Sequence, residues 1–259
     1  MAGERRRRSA GGSTPLAAGV ALAVAGSGLL GIVWAGARDA RDGAVLSGRV
    51  TLAAGGRVTF PGTPPAGEPI DMSADPYCRE RHDEPVIDRP VRVDGDGGLA
   101  DVLVHVRSAP SGAEAPDAQA LLDQVGCMYT PAAVAVRVDE TLVIRNSDET
   151  LHNVRVTPSA NRGFNLGQPI EGMESRRSFG RPEIGIPVRC DIHGWMHSTI
   201  HVLDHGFFAI TGTDGSFSLP ELPAGEYEVE AWHRSLGTTS RTVTVTAGEP
   251  IAIAFELGG

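Results

Sequence analysis

The chain has 259 residues, with 23 basic and 32 acidic side chains and a formal net charge of −9. That length allows one large or two modest domains at roughly 100 to 200 residues each, and the acidic balance argues against nucleic acid as a partner. Aromatic residues are sparse at 5%, whereas 33 Gly and 18 Pro cut the sequence into short segments, a pattern that favours β structure over long helices.

The first 37 residues differ from the rest. Arg5, Arg6, Arg7 and Arg8 precede an uncharged, small-residue run from Pro15 to Ala37, and Ala35-Gly36-Ala37 offers the small side chains a signal peptidase accepts. Residues 1–37 therefore read as a signal peptide, with an uncleaved membrane anchor through residues 15–37 as the alternative, since 23 helical residues would cross a hydrocarbon core of roughly 30 Å. Both readings place the protein in the periplasm or elsewhere outside the cytoplasm. Removing the four arginines and one glutamate of this segment leaves 19 basic and 31 acidic residues, a formal charge of −12.

Beyond it, segments of alternating or β-branched character recur: Val45–Leu52, Val58–Phe60, Val86–Val93, Asp101–Arg107, Ala133–Val138, Thr141–Arg145 and Val154–Thr157. Turn-forming clusters such as Pro61-Gly62-Thr63-Pro64-Pro65, Asp94-Gly95-Asp96-Gly97-Gly98 and Asn146-Ser147-Asp148 bound them, the signature of an all-β sandwich or barrel. Only Pro116–Val125 has the makings of a helix, about two turns with Pro116 at the first position. In the last fifty residues Asp214-Gly215 predicts a hairpin, because glycine accepts the positive φ such a turn needs, and Pro223-Ala224-Gly225 leads into a strand through Tyr227 and Val229.

Three cysteines in an oxidising compartment leave one outside any disulfide. Cys190 lies in Cys190-Asp191-Ile192-His193-Gly194-Trp195-Met196, among metal-ligating types, whereas Cys78 and Cys127 have no such company; the expected pair is Cys78–Cys127, with free buried thiols as the alternative.

Leu151-His152-Asn153-Val154 followed about forty residues later by Cys190-x-x-His193-x-x-Met196 resembles the copper-binding pattern of the cupredoxins, with the short loop of amicyanin. The resemblance implies a mononuclear copper site in which Cys190 is the thiolate, His152 and His193 are the imidazole ligands and Met196 is the weak axial ligand. It makes Asn153 the residue that ties the histidine strand to the ligand loop. Copper that cycles between Cu(I) and Cu(II) needs this mixture of soft thiolate, imidazole and thioether. Ile192, Trp195 and Phe164 are the apolar neighbours expected to keep water away. Zinc is the rival metal, through Cys190, His193 and His197 or His201. His197 also competes with Met196 for the axial place, and His201, His205 and His233 read as structural, or as an accessory site.

Residues 207–257 resemble the carboxypeptidase regulatory-like (transthyretin-like) β-sandwich module, through Thr213-Asp214-Gly215-Ser216-Phe217 and Leu222-Pro223-Ala224-Gly225-Glu226-Tyr227. Further phrases, including Asp71-Met72-Ser73-Ala74-Asp75, Phe164-Asn165-Leu166-Gly167-Gln168-Pro169 and Ala231-Trp232-His233, resemble exported bacterial proteins that combine the two domains, from about residue 45 onward. Ala132 stands where a His commonly follows Tyr-x-Pro in that family, and Gly194 and Gly206 replace prolines.

The expected organisation is thus all-β: residues 1–37 as signal or anchor, 43–110 as an N-terminal β segment, 111–204 as the cupredoxin-like domain and 205–259 as the regulatory-like module. Whether residues 43–110 form the first half of that module, with the copper domain inserted, or a third β unit stays open. The resemblance implies an exported one-electron carrier holding one copper ion, with redox protein partners and no catalysis of its own; nucleophile elbow, His-rich copper cluster and phosphate loop are all missing from the sequence. The alternative is a copper-binding or metal-stapled structural module.

Overall fold

The computed structural model describes residues 52–110, 119–247 and 249–258. The signal or anchor reading of residues 1–37, the strand expected to begin at Val45 and Pro116 at the start of the expected helix lie outside them.

Eighteen strands and one short helix follow one another in these residues. They are β1 (Leu52–Thr59), β2 (Glu68–Pro69), α1 (Pro76–Glu80), β3 (Ile87–Asp88), β4 (Leu103–Val106), β5 (Ala120–Val125), β6 (Met128–Thr130), β7 (Ala133–Arg137), β8 (Leu142–Asn146) and β9 (His152–Val156). The chain continues through β10 (Phe164–Gln168), β11 (Glu174–Arg177), β12 (Glu183–Arg189), β13 (His197–Leu203), β14 (Phe208–Ile210), β15 (Ser216–Leu222), β16 (Gly225–His233), β17 (Gly237–Val245) and β18 (Ile251–Glu256).

Two sandwiches result. The inner one packs the sheet β10-β9-β12-β13-β7 against β11-β8-β5-β6, and the outer one packs β15-β1-β18 against β14-β4-β16-β17; β2 and β3 form a separate ribbon. The central strand β1 runs antiparallel to β15 and parallel to β18, and β4 lies between β14 and β16. The chain therefore begins the outer sandwich, leaves it after Val106 to build the inner one, and returns at Phe208 to finish.

Alternation along each strand sets what is buried, because successive side chains point to opposite faces. In β15 Phe217 and Leu219 face inward between exposed Ser216 and Ser218, and in β18 Ile253 and Phe255 do so between exposed neighbours. In β9 His152, Val154 and Val156 share the inward face, and in β12 Ile186 and Val188 do, which puts Cys190 next in line on the same face. Each sandwich has its own core, and a third small cluster of Leu103, Leu203 and Phe208, with Trp232 and Ile184 against it, joins them.

Two expectations need correction. Residues 120–125 are not helical: Ala120–Val125 is a strand, parallel to β8 and antiparallel to β6, because its apolar residues are worth more in a sheet core than on a two-turn helix. The helix is instead α1, where the Asp75 carboxylate accepts from the N–H groups of Tyr77 and Cys78 and Pro76 occupies the first turn. Asp214-Gly215 does make a turn with Gly215 at φ +76°, but β14 and β15 then join different sheets, so it is a crossing between layers and not a hairpin.

At the junction of the sandwiches Gly185 has φ +80° within a bulge of β12, and a Cβ there would sit 2.7 Å from Trp232 Cζ2. Gly185→Ala thus faces both left-handed strain and a clash with a large ring. We expect a destabilisation of about 1–3 kcal/mol in denaturant unfolding, accompanied by a changed Trp fluorescence; unaltered unfolding would mean the junction yields freely.

Candidate metal centre

Four sequence-distant segments meet at one end of the inner sandwich. His152 enters from the start of β9, fully buried. Cys190, His193 and Met196 come from the loop between β12 and β13, closed by Met196 N–H to His193 C=O at 2.9 Å and Cys190 N–H to Met196 C=O at 3.2 Å. The ligand types His152, Cys190 and His193 present atoms that all lie within 4.8 Å of one another, and Met196 is wholly buried in the same core cluster.

The orientation of the two rings is decided by carboxylates. His152 Nε2 donates to Asp148 Oδ2 at 2.9 Å, and His193 Nε2 donates to Asp75 Oδ2 at 2.9 Å. With the proton held at Nε2, Nδ1 of each neutral ring is an acceptor. The two Nδ1 atoms nevertheless lie 2.9 Å apart, an arrangement that repels unless a cation sits between them. Two nitrogens each about 2.0 Å from one metal would be roughly 3.2 Å apart in a tetrahedral site, so the spacing fits a shared ion.

Without a metal that cation is a proton. Burial pulls the His152 imidazole down, but the hydrogen bond to Asp148 and the nearby Cys190 outweigh it and lift the pKa to about 9. Burial pushes the Cys190 thiol up, yet hydrogen bonding from His152 and the His193 backbone N–H win and hold it below the ordinary thiol range. Asp148 and Asp75 both sit below the usual carboxylate range, burial being outweighed by their histidine partners and by backbone N–H donors.

Asp148 is itself positioned by a tight turn. Gly126 and Cys127, both at positive φ between β5 and β6, aim their N–H groups at its two oxygens, each at 2.8 Å. Asp75 uses one oxygen to cap α1 and the other to hold His193. The Cys78–Cys127 disulfide, which the structure contains, ties these two supports together, and Cys78 Sγ lies 3.6 Å from His193 Nε2. Neither aspartate was singled out from the sequence. The Asn146-Ser147-Asp148 turn was visible there, but nothing local shows that carboxylate oxygens of Asp75 and Asp148 reach histidines 118 and 4 residues away.

Asn153 points to the opposite face of β9. Its Oδ1 accepts from Asp191 N–H at 2.7 Å and lies 3.3 Å from Cys190 Sγ, while its amide donates to Asn165 and Asp191. Tyr129 donates its hydroxyl to Asn153 C=O at 2.6 Å, and burial raises that phenol's pKa.

Other candidates fall elsewhere. His197 lies outward, 3.8 Å from Asp88; His201 is buried with its ring against Trp232, its pKa pushed down to about 3 by burial and by His105. His205 stacks near His105 and His233 accepts from Ser235 N–H. Among the described residues none of these joins the Cys190 and His193 group, so the rival zinc set through His197 or His201 and the accessory site do not assemble. Ile192 is exposed and Phe164 packs on Phe179; of the three expected shields only Trp195 adjoins a ligand, 5.0 Å from the His193 ring, and α1 with the disulfide covers the rest.

The sequence matches no family model and no curated protein. Several solved structures are similar to part of it. A copper-containing nitrite reductase from Thermus scotoductus SA-01 is 20% identical over 37% of this chain, with a TM-score of 0.31, and the match spans 24% of the reductase. A purple cupredoxin from Nitrosopumilus maritimus is 18% identical over 32% of this chain and 99% of its own (TM-score 0.28). Amicyanin from Paracoccus versutus is 18% identical over 38% and 96% respectively (TM-score 0.28). The fold is all-β, and its inner sheets pack as a sandwich.

Asp148→Asn removes the largest of the interactions that lift His152 and leaves burial opposed by Cys190 alone. In the metal-free protein the His152 pKa, followed by NMR, should fall from about 9 toward the ordinary value of 6.5, and metal affinity should drop roughly 10- to 100-fold. A His152 titration unmoved by the change would remove Asp148 from the site.

Proposed function

We propose that the protein is an exported, mononuclear copper protein of type 1-like character acting in one-electron transfer, with His152, Cys190, His193 and Met196 as ligands. The observation that carries this reading is the pair of buried Nδ1 atoms 2.9 Å apart, each ring's other nitrogen held by a carboxylate and a lowered-pKa thiol beside them. Copper supplies the redox step, and two imidazoles, a thiolate and a thioether are the donors that suit both of its oxidation states. Asp148 and Asp75 hold the rings in the ligating tautomer, Asn153 fixes the loop that bears Cys190, and Met196 is locked by its backbone bonds to His193 and Cys190. Rigid, buried donors limit reorganisation between the two states.

With every position filled from the chain, a substrate has no place on the metal, which favours a carrier over a catalyst. Exposed Leu151 and Ile192, each next to a ligand in sequence, offer apolar surface to a redox protein partner. The outer sandwich is read as the carboxypeptidase regulatory-like module, interrupted between β4 and β14 by the copper domain, and residues 1–37 as the signal or anchor that takes it out of the cytoplasm. The covering of His193 by α1 and the disulfide favours a second reading, in which the metal staples the fold; a slow self-exchange rate in the copper-loaded protein would select it.

The Cu(II) protein should show an intense visible charge-transfer band from the Cys190 thiolate, abolished in Cys190→Ser. A colourless copper complex, or preference for zinc without colour, sinks the assignment.

Met196→Gln should lower the reduction potential and alter the spectrum with copper retained, because an amide oxygen stabilises Cu(II) better than a thioether. His197→Ala should change neither. The reverse pattern would make His197 the ligand.

A further inference from the structure

Between the two sandwiches, beside the β2–β3 ribbon, lies a cleft of about 480 Å³ that the metal centre does not use. Its size falls within the range of small-ligand sites, roughly 300–1,000 Å³, and junctions between domains are where such sites concentrate. The inner sandwich contributes Met128, Tyr129 and Thr199, the outer one Trp232, His233 and Arg234. A second hollow of about 540 Å³ shares Thr199, Trp232 and Arg234 with it and adds Arg189.

Donors outnumber acceptors among the polar groups here. His233 is 2% exposed, and its Nδ1 accepts from Ser235 N–H at 3.2 Å, so the ring proton is on Nε2. Burial first, and then Arg234, keep this imidazole neutral, despite Asp101. Among the described residues Nε2 has no hydrogen-bond partner, nor does the hydroxyl of buried Thr199, nor the guanidinium of Arg234, which has no carboxylate at ion-pair distance. Of the two acids of the cleft, Asp101 pairs with Arg92 at 2.5 Å, whereas Asp88 lies 3.8 Å from a His197 that burial keeps neutral and so offsets part of the Arg234 charge. Arg89, Arg92 and Arg234 against Asp88 and Asp101 leave one surplus positive charge over an apolar floor of Met128, Tyr129 and Trp232, with the His233 N–H beside it.

We propose that this cleft binds a small organic carboxylate with an apolar or aromatic body, its charge on Arg234 and His233 and its body on Trp232. A guanidinium pairs with a carboxylate through two parallel hydrogen bonds, and the imidazole N–H supplies a further donor from the buried side. The site needs no metal, so it stands or falls separately from the copper reading.

Benzoate titrated into the metal-free protein by calorimetry is the test, with benzylamine as the cationic counterpart and NMR of the His233 ring as a local reporter. Saturable binding of one benzoate per chain is expected, with a shift of the His233 ring signals, at least tenfold weakening in Arg234→Gln and no binding of benzylamine. Arg107→Gln, at an exposed ion pair with Glu228 away from the cleft, should bind as the unaltered protein does. Absence of saturable binding, equal affinity in Arg234→Gln, or equal binding of benzylamine would each overturn the proposal, and matched melting temperatures exclude misfolding of the variant as the cause.

Discussion

Two buried imidazoles that face each other through their acceptor nitrogens are tolerable only with a positive charge between them, and the end of the inner sandwich is organised around that constraint. In the metal-free state that charge is a proton on His152, whose pKa Asp148 and Cys190 raise against the effect of burial. Holding it requires negative groups behind each ring. Asp148 and Asp75 provide them, and each is in turn held by backbone N–H groups, from the Gly126-Cys127 turn and from the first turn of α1. The chain of supports reaches from ring nitrogen to carboxylate to main chain, so the fold itself orients both rings.

The disulfide gains a purpose from this layout. Cys78 belongs to the helix that Asp75 caps, and Cys127 to the turn that grips Asp148, so their bridge fixes the two carboxylate supports relative to one another. Closing a loop of 49 residues also reduces the freedom of the unfolded chain, by about 4 kcal/mol on the loop-entropy account. Stability and ring orientation thus share a covalent link, and the same cover shuts His193 off from solvent, at 2% exposure.

The inner sandwich does not stand at the end of a linker. Both its entry and its exit lie on the outer sandwich, at β4 and β14, neighbouring strands of one sheet. Leu103, Leu203 and Phe208 seal the junction, and Gly185 lets Trp232 approach the inner sandwich where any side chain would block it.

By itself the sequence determined the β class, through short segments cut by Gly and Pro, and the grouping of Cys190, His193 and Met196 in one loop, because they are near neighbours whose geometry depends on a few local turns. It also singled out Cys190 as the unpaired thiol, since the company of a cysteine within six residues is visible in one dimension. Tertiary structure alone decided the rest. Residues 120–125 became a strand because sheet partners 22 residues away outweigh a weak helical preference, and Asp214-Gly215 turned the chain between layers because a turn's residues specify its bend but not which sheet receives the next strand. Asp75 and Asp148 reached the rings, and β1 found β15 and β18, across separations of more than 100 residues in the first and last cases. Such contacts are chosen by the shape of the assembled core, and no local pattern in the chain encodes them.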